Sequence, residues 1–165
     1  MGLPRARLVL GVLCLFALGA CGRKIGDKCK DSLDCNSEDA TRTCDVSEPG
    51  GYCTIEGCNE TSCPDEAFCV RFFPQADLLA KACDPANPFA CAAAEICVAF
   101  PDAAASANLP GRCVDRSKEH DNCMLKCEND GDCRDEYTCR ETGNGNSISL
   151  TATPGQKVKY CGPRG

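Results

Sequence analysis

Sulfur is the reactive element this chain has in quantity. Eighteen cysteines stand in 165 residues, about 11%, a density that marks disulfide scaffolds. Beside them are one histidine, two methionines and no tryptophan. Sixteen of the cysteines lie between Cys29 and Cys161, and no two are three positions apart. Zinc ribbons, thioredoxin-like redox pairs, bacterial ferredoxin clusters and c-type haem attachment all need a C-x-x-C spacing that is absent here. His120 alone cannot complete a mixed Cys/His site and reads as a solvated side chain. Structural bridges are the expected state, with no metal and no cofactor.

The spacing repeats. Cys29-x5-Cys35-x8-Cys44-x8-Cys53 opens the series and Cys127-x5-Cys133-x5-Cys139-x21-Cys161 closes it. The first bracket of each ends on an acid, Asp34 or Asp132. In the middle, Phe68-Cys69-Val70 echoes Ile96-Cys97-Val98, each six positions after an earlier cysteine, Cys63 or Cys91. Each unit then has an opening, second, third and closing cysteine. A first-to-third, second-to-fourth rule predicts Cys29–Cys44, Cys35–Cys53, Cys58–Cys69, Cys63–Cys83, Cys91–Cys113, Cys97–Cys123, Cys127–Cys139 and Cys133–Cys161. Here Cys83 is taken to close the second unit, and Cys123 fills the place the third unit lacks. Spacing leaves other connectivities open.

Other residues could carry chemistry and have plainer roles beside it. Glu128-Asn129-Asp130-Gly131-Asp132 looks like part of a calcium loop, but an EF-hand needs glycine at its sixth place, where Cys133 stands. A tight acidic turn that positions Cys133 is the competing reading. Asp65-Glu66 and Asp135-Glu136 could do acid–base work, yet they recur in register with the cysteines, as turns would. Phe68, Phe72, Phe73, Phe89 and Phe100 offer either a partner-binding patch or a miniature core. Asn59-Glu60-Thr61 is a glycosylation sequon, meaningful only on a eukaryotic secretory route. No G-x-S-x-G, P-loop or H-E-x-x-H occurs, and the chain reads as no enzyme.

The start of the chain explains where such sulfur could be oxidised. Arg5 and Arg7 precede an eleven-residue apolar stretch, Leu8 to Leu18, too short to span a bilayer as a helix. Leu18-Gly19-Ala20-Cys21 follows. This motif resembles the lipobox of bacterial lipoprotein precursors. The resemblance implies removal of residues 1–20, a diacylglyceryl thioether on Cys21 and acylation of its new amine. It further implies attachment to the membrane through those acyl chains. In that family Asp at the next position favours the inner membrane; Gly22 stands here, which implies the outer one. An ordinary signal peptide cut near Gly19 or Ala20, releasing a secreted protein, is the alternative. Cysteine parity separates the two: ordinary cleavage discards Cys14 and leaves seventeen, whereas lipidation also occupies Cys21 and leaves sixteen.

Net charge is −6, or −8 once Arg5 and Arg7 are gone, which disfavours nucleic acid as a partner. Residues 21–165 hold 6 Leu, 4 Ile, 5 Val and 5 Phe, about 14%. That is too little apolar surface for an ordinary core, so bridges must substitute for it. The expected architecture is small and disulfide-rich: tandem cysteine-bracketed units of short strands and loops, with one or two short helices. The units are a stem at 21–28, a first unit at 29–57, second and third units within 58–122, and a fourth at 123–165 ending in a hairpin. That hairpin would pair Ile148–Ala152 with Lys157–Tyr160 around Pro154-Gly155. Gly50-Gly51 reads as a turn entering a strand at Tyr52, and Val114–Asn122 as a charged junction. Ala76–Ala82 and a segment from Asn87-Pro88 through Glu95 have helical composition. The cysteine spacing is loosely similar to EGF-like and Dickkopf-like extracellular modules. Together these readings predict a non-enzymatic, lipid-anchored envelope protein that binds a protein or cell-surface partner. A secreted protease inhibitor, using one of the long inter-cysteine loops, is the alternative.

Overall fold

With few apolar residues to share, every element is short. The computed structural model describes residues 23–36, 42–74, 81–87, 91–99, 111–143, 147–151 and 156–164. The leader, Cys21, Phe89, Phe100, the helical composition at 76–80 and the Pro154-Gly155 turn lie outside them. The described chain is a small disulfide-rich fold of short antiparallel strands with one helix of four residues, α1 (Ser32–Cys35). The strands are β1 (Thr43–Asp45), β2 (Tyr52–Thr54), β3 (Ala67–Phe72), β4 (Ala82–Cys83) and β5 (Glu95–Ala99). They continue with β6 (Gly111–Asp115), β7 (His120–Leu125), β8 (Tyr137–Glu141), β9 (Ser147–Ser149) and β10 (Lys159–Pro163).

One device recurs four times. An antiparallel ladder sets a third cysteine directly opposite a fourth: Cys44 and Cys53, Cys69 and Cys123, Cys97 and Cys113, Cys139 and Cys161. Facing residues share a sheet face, so the bridges they make lie side by side. Each third cysteine bonds an opener: Cys29–Cys44, Cys58–Cys69, Cys83–Cys97 and Cys127–Cys139, with Cα atoms 5.8 or 5.9 Å apart. Each fourth bonds a second: Cys35–Cys53, Cys63–Cys123, Cys91–Cys113 and Cys133–Cys161, at 5.4 to 5.6 Å. The chain just before each opener lies along the strand of the fourth cysteine. Cys53 N–H donates to Asp27 C=O, Cys123 N–H to Ile55 C=O, and Cys113 N–H to Lys81 C=O, while Lys126 bridges Tyr160.

Two predicted pairs, Cys63–Cys83 and Cys97–Cys123, are not formed. Cys83 opens the third unit instead of closing the second, and Cys123 closes the second instead of serving the third. The third unit is therefore an insertion between Cys69 and Cys123. The β3–β7 ladder explains how: it runs in register from Ala67 opposite Leu125 to Phe72 opposite His120, so the insertion leaves and returns at one end of the ladder. The boundary expected between residues 122 and 123 consequently falls inside β7.

Other expectations also change. Ser147–Ser149 does not pair with residues 157–160; β9 adds to β3 while β10 pairs with β8, where Cys133–Cys161 pins it. Ala92 to Glu95 forms a turn, Glu95 N–H donating to Ala92 C=O, and β5 starts at Glu95. With only five residues between Cys91 and Cys97, the bridge and ladder override the helical propensity of three alanines. Val114 is fully buried at the end of β6, and the charged stretch after it makes a 3₁₀ turn (Arg116–Lys118) before β7. The stem is no free spacer: Ile25 is fully buried and Gly26 N–H donates to Cys53 C=O.

Apolar packing is divided accordingly. Ile25, Tyr52, Val70, Met124, Tyr137 and Tyr160 form one core with Cys58, Cys69 and Cys123, drawn from the stem and units one, two and four. Phe73, Val98 and Val114 form a smaller core in and beside the insertion, against which Ile148 packs.

Candidate functional site

The first bracket of unit four folds as a capped turn. Asn129 Oδ1 accepts from Gly131 N–H, and Asp132 accepts from the N–H groups of Glu128 and Asn129. Asp130 accepts from Thr138 Oγ1 and Cys139 N–H. Those hydrogen bonds hold Asp130 and Asp132 below the usual carboxylate range. Unit one repeats the arrangement: Asp31 caps α1 through the N–H groups of Leu33 and Asp34, and Asp34 accepts from Lys30 N–H. These segments thus orient their cysteines. Asp65-Glu66 and Asp135-Glu136 sit in matching turns, Ala67 N–H donating to Pro64 C=O and Tyr137 N–H to Arg134 C=O. Glu66 also pairs with Arg42 at 3.4 Å.

In each unit three sulfurs lie within 4.8 Å of one another, as in Cys29, Cys35 and Cys44. This is the abutment of two bridges, whose sulfurs are not thiolates and make no metal centre in that state. His120 is exposed. The three described phenylalanines among the five do not share one exposed patch: Phe73 is buried in the insertion's core, and Phe68 lies under Lys126 Nζ at 4.4 Å from the ring centroid.

A cleft of about 750 Å³ lies elsewhere, where units one, two and four meet. Strand alternation builds it. Residues flanking a closing cysteine point away from its bridge, and Tyr52, Thr54, Asn122, Met124 and Tyr160 flank Cys53, Cys123 and Cys161. All five line the cleft, with Phe72 beside them. The floor is held rigidly. Tyr52 Oη accepts from Leu125 N–H at 2.9 Å, Thr54 Oγ1 donates to Cys123 C=O at 2.9 Å, and Tyr160 Oη donates to Ser147 Oγ at 3.1 Å. The Phe72 and Tyr160 rings meet edge to face, 5.8 Å between centroids. Behind them Arg134 stacks on Tyr137 at 4.2 Å and donates to Pro49 and Gly51 C=O, locking unit four to the turn of unit one. Burial raises the Tyr52 and Tyr160 phenols, and pushes Tyr137 up to about 12, so all three stay neutral hydrogen-bonding groups at neutral pH.

The rim is acidic. Asp45, Glu48, Glu56, Glu119 and Asp121 line it, against Arg140. Arg71 neutralises part of this, gripping Asp121 through two hydrogen bonds of 2.7 and 2.8 Å and Glu119 at 3.3 Å. Glu48 is raised above the usual carboxylate range, first by burial and then by Asp45, with Arg134 and Arg140 opposing. Tyr52 and Tyr160 are buried, so part-exposed Phe72 is the ring a ligand can reach; with the acidic rim it suits a cationic side chain, through cation–π contact and carboxylate hydrogen bonds.

The sixteen predicted cysteines are thus present as bridges, while of the cleft residues the sequence offers only Phe72 as a binding candidate. Their one other sequence signal is the tyrosine immediately before Cys53 and Cys161, legible only once the fourth cysteines are known. Comparison with protein families, characterised proteins and solved structures finds no match to this chain.

Proposed function

We propose that this protein is a non-enzymatic interaction module of the bacterial envelope, anchored in the outer membrane through acylated Cys21, that takes a cationic segment of a protein partner into its cleft. The observation that carries the reading is the cleft itself: three bridged units converge on a part-aromatic floor whose rim holds Asp45, Glu48 and Glu56 beyond the two carboxylates that Arg71 pairs, against Arg140. Elements clamped by disulfides lose little entropy on binding, so a small contact area can suffice. Cysteine parity and the Leu18-Gly19-Ala20-Cys21 motif support the anchor.

Calorimetry with an oligo-lysine peptide tests the cleft. Glu48→Gln with Glu56→Gln should weaken binding, at about 0.5–1 kcal/mol or a two- to fivefold loss per charge. Asp135→Asn with Glu136→Gln, on a turn outside the cleft, should not. Equal losses from both pairs would reject the cleft as the site. Intact mass of the native protein tests the anchor, which requires a chain starting at Cys21 with acyl mass added.

A further inference from the structure

We infer that the face of unit one formed by Arg23, Lys24, Lys28, Lys30 and Leu33 rests on the anionic headgroups of the membrane that holds Cys21. This rests on the lipid-anchor reading and adds to it an orientation of the body. The chain leaves the anchor almost no slack. Lys24 N–H donates to Asp27 Oδ2, Ile25 is fully buried, and the next residues are hydrogen-bonded along β2. Four Cα–Cα steps separate residue 21 from residue 25, at most about 14 Å. That is under two Debye lengths at physiological ionic strength, about 8 Å each. A body so tethered cannot withdraw from the surface charge, and the side that carries residues 23–25 must meet it.

That side is the basic part of an acidic protein. Residues 23–34 hold four cations, Arg23, Lys24, Lys28 and Lys30, all exposed. Their three acids, Asp27, Asp31 and Asp34, are each engaged by backbone N–H groups. From residue 35 onward the chain carries 12 cations and 21 acids. An anionic bilayer would repel that remainder, whereas each Lys or Arg near the headgroups is attracted to them. Arg23 also donates to Lys28 C=O, folding the basic segment onto itself beside the point of attachment. Leu33 on α1 is 82% exposed, while Cys35 of the same turn is fully buried. An exposed apolar side chain on a segment that carries four cations is what an interfacial segment offers to a headgroup layer.

The absence of tryptophan gives a clean reporter. Leu33→Trp is made in the full, lipidated chain, its acyl mass verified first. The protein is then placed in phosphatidylcholine vesicles containing phosphatidylglycerol and brominated lipid. We expect blue-shifted emission and quenching, reduced by Lys28→Glu with Lys30→Glu. Lys118→Trp, on the insertion, should emit as in water and stay unquenched. Equal emission from the two reporters would overturn the proposal. A mass without acyl chains would refute the anchor alone. In that event Leu33→Trp in the unanchored chain is titrated with the same vesicles: a salt-sensitive blue shift upholds the surface, and no shift overturns it.

Discussion

Units one and four on one side, and units two and three on the other, obey the same bridging rule but differ in how the chain runs through them. The outer units are contiguous, their four cysteines consecutive in the sequence. The inner ones are nested, the whole of unit three sitting between the third and fourth cysteines of unit two. Chain entropy makes nesting cheap. Closing Cys63 onto Cys123, 60 residues away, in place of Cys83, 20 residues away, costs only about 1 kcal/mol more by the logarithmic loop law. The six facing pairs of β3 and β7 outweigh that easily. Local geometry selects the partner, and sequence distance hardly counts.

The largest effect expected separates bridges from apolar packing. Full reduction should unfold all four units, observed as loss of circular dichroism, since each loop contributes on the order of 3 kcal/mol in isolation and the apolar core is sparse. Next come two glycines in equivalent places, each two residues before a closing cysteine and hard against an opener. A Cβ on Gly51, at φ +70°, would lie 2.1 Å from Cys29 C=O, and one on Gly111 2.6 Å from Cys97 Sγ and 2.9 Å from Cys83 C=O. Gly51→Ala should cost several kcal/mol and prevent unit one from closing. Gly111→Ala should be milder and confined to the insertion. In unit four the equivalent residue is Lys159, and Lys159→Ala should be nearly neutral. Melting curves rank the three.

Removing single bridges sharpens the contrast between inner units. Cys63→Ala with Cys123→Ala should raise hydrogen exchange across β3, β7 and β9, whereas Cys83→Ala with Cys97→Ala should raise it only within residues 81–115. Uniform loss in both would mean the insertion is no separate unit. Excising residues 73–119 and joining Phe72 to His120 through Asn-Gly should leave the six remaining bridges formed, because those ends already face each other as hairpin ends do. The smallest effect is acid-dependent. Asp132 is held low by backbone N–H groups, so its stabilisation is present above the ordinary carboxylate pKa and lost as pH falls through its own. Asp132→Asn should melt below the native protein at pH 7, and the gap should close below about pH 4.

What was legible in the sequence follows the same division. Six bridges could be read from spacing because in units one and four all four cysteines are consecutive in the sequence, and Cys58–Cys69 and Cys91–Cys113 close over short stretches within the inner units. The acidic bracket ending at Asp132 was likewise readable as a turn. Cys83 and Cys123 were misassigned because a nested closure leaves no local trace. The expected hairpin at 148–160 had proper alternation in both halves, yet strand pattern cannot say which neighbour a strand will choose. The cleft was out of reach for a further reason: Asp45, Glu119 and Tyr160 are joined only by the packing of three units.

A non-reducing peptide map tests the nested arrangement most directly. Trypsin, Asp-N and Glu-C together cut at Lys81, Asp84, Glu95, Arg112 and Arg116, which isolates Cys83, Cys97 and Cys123 from one another. The account predicts peptides linking Cys83 to Cys97 and Cys63 to Cys123. Peptides linking Cys63 to Cys83 and Cys97 to Cys123 would contradict it.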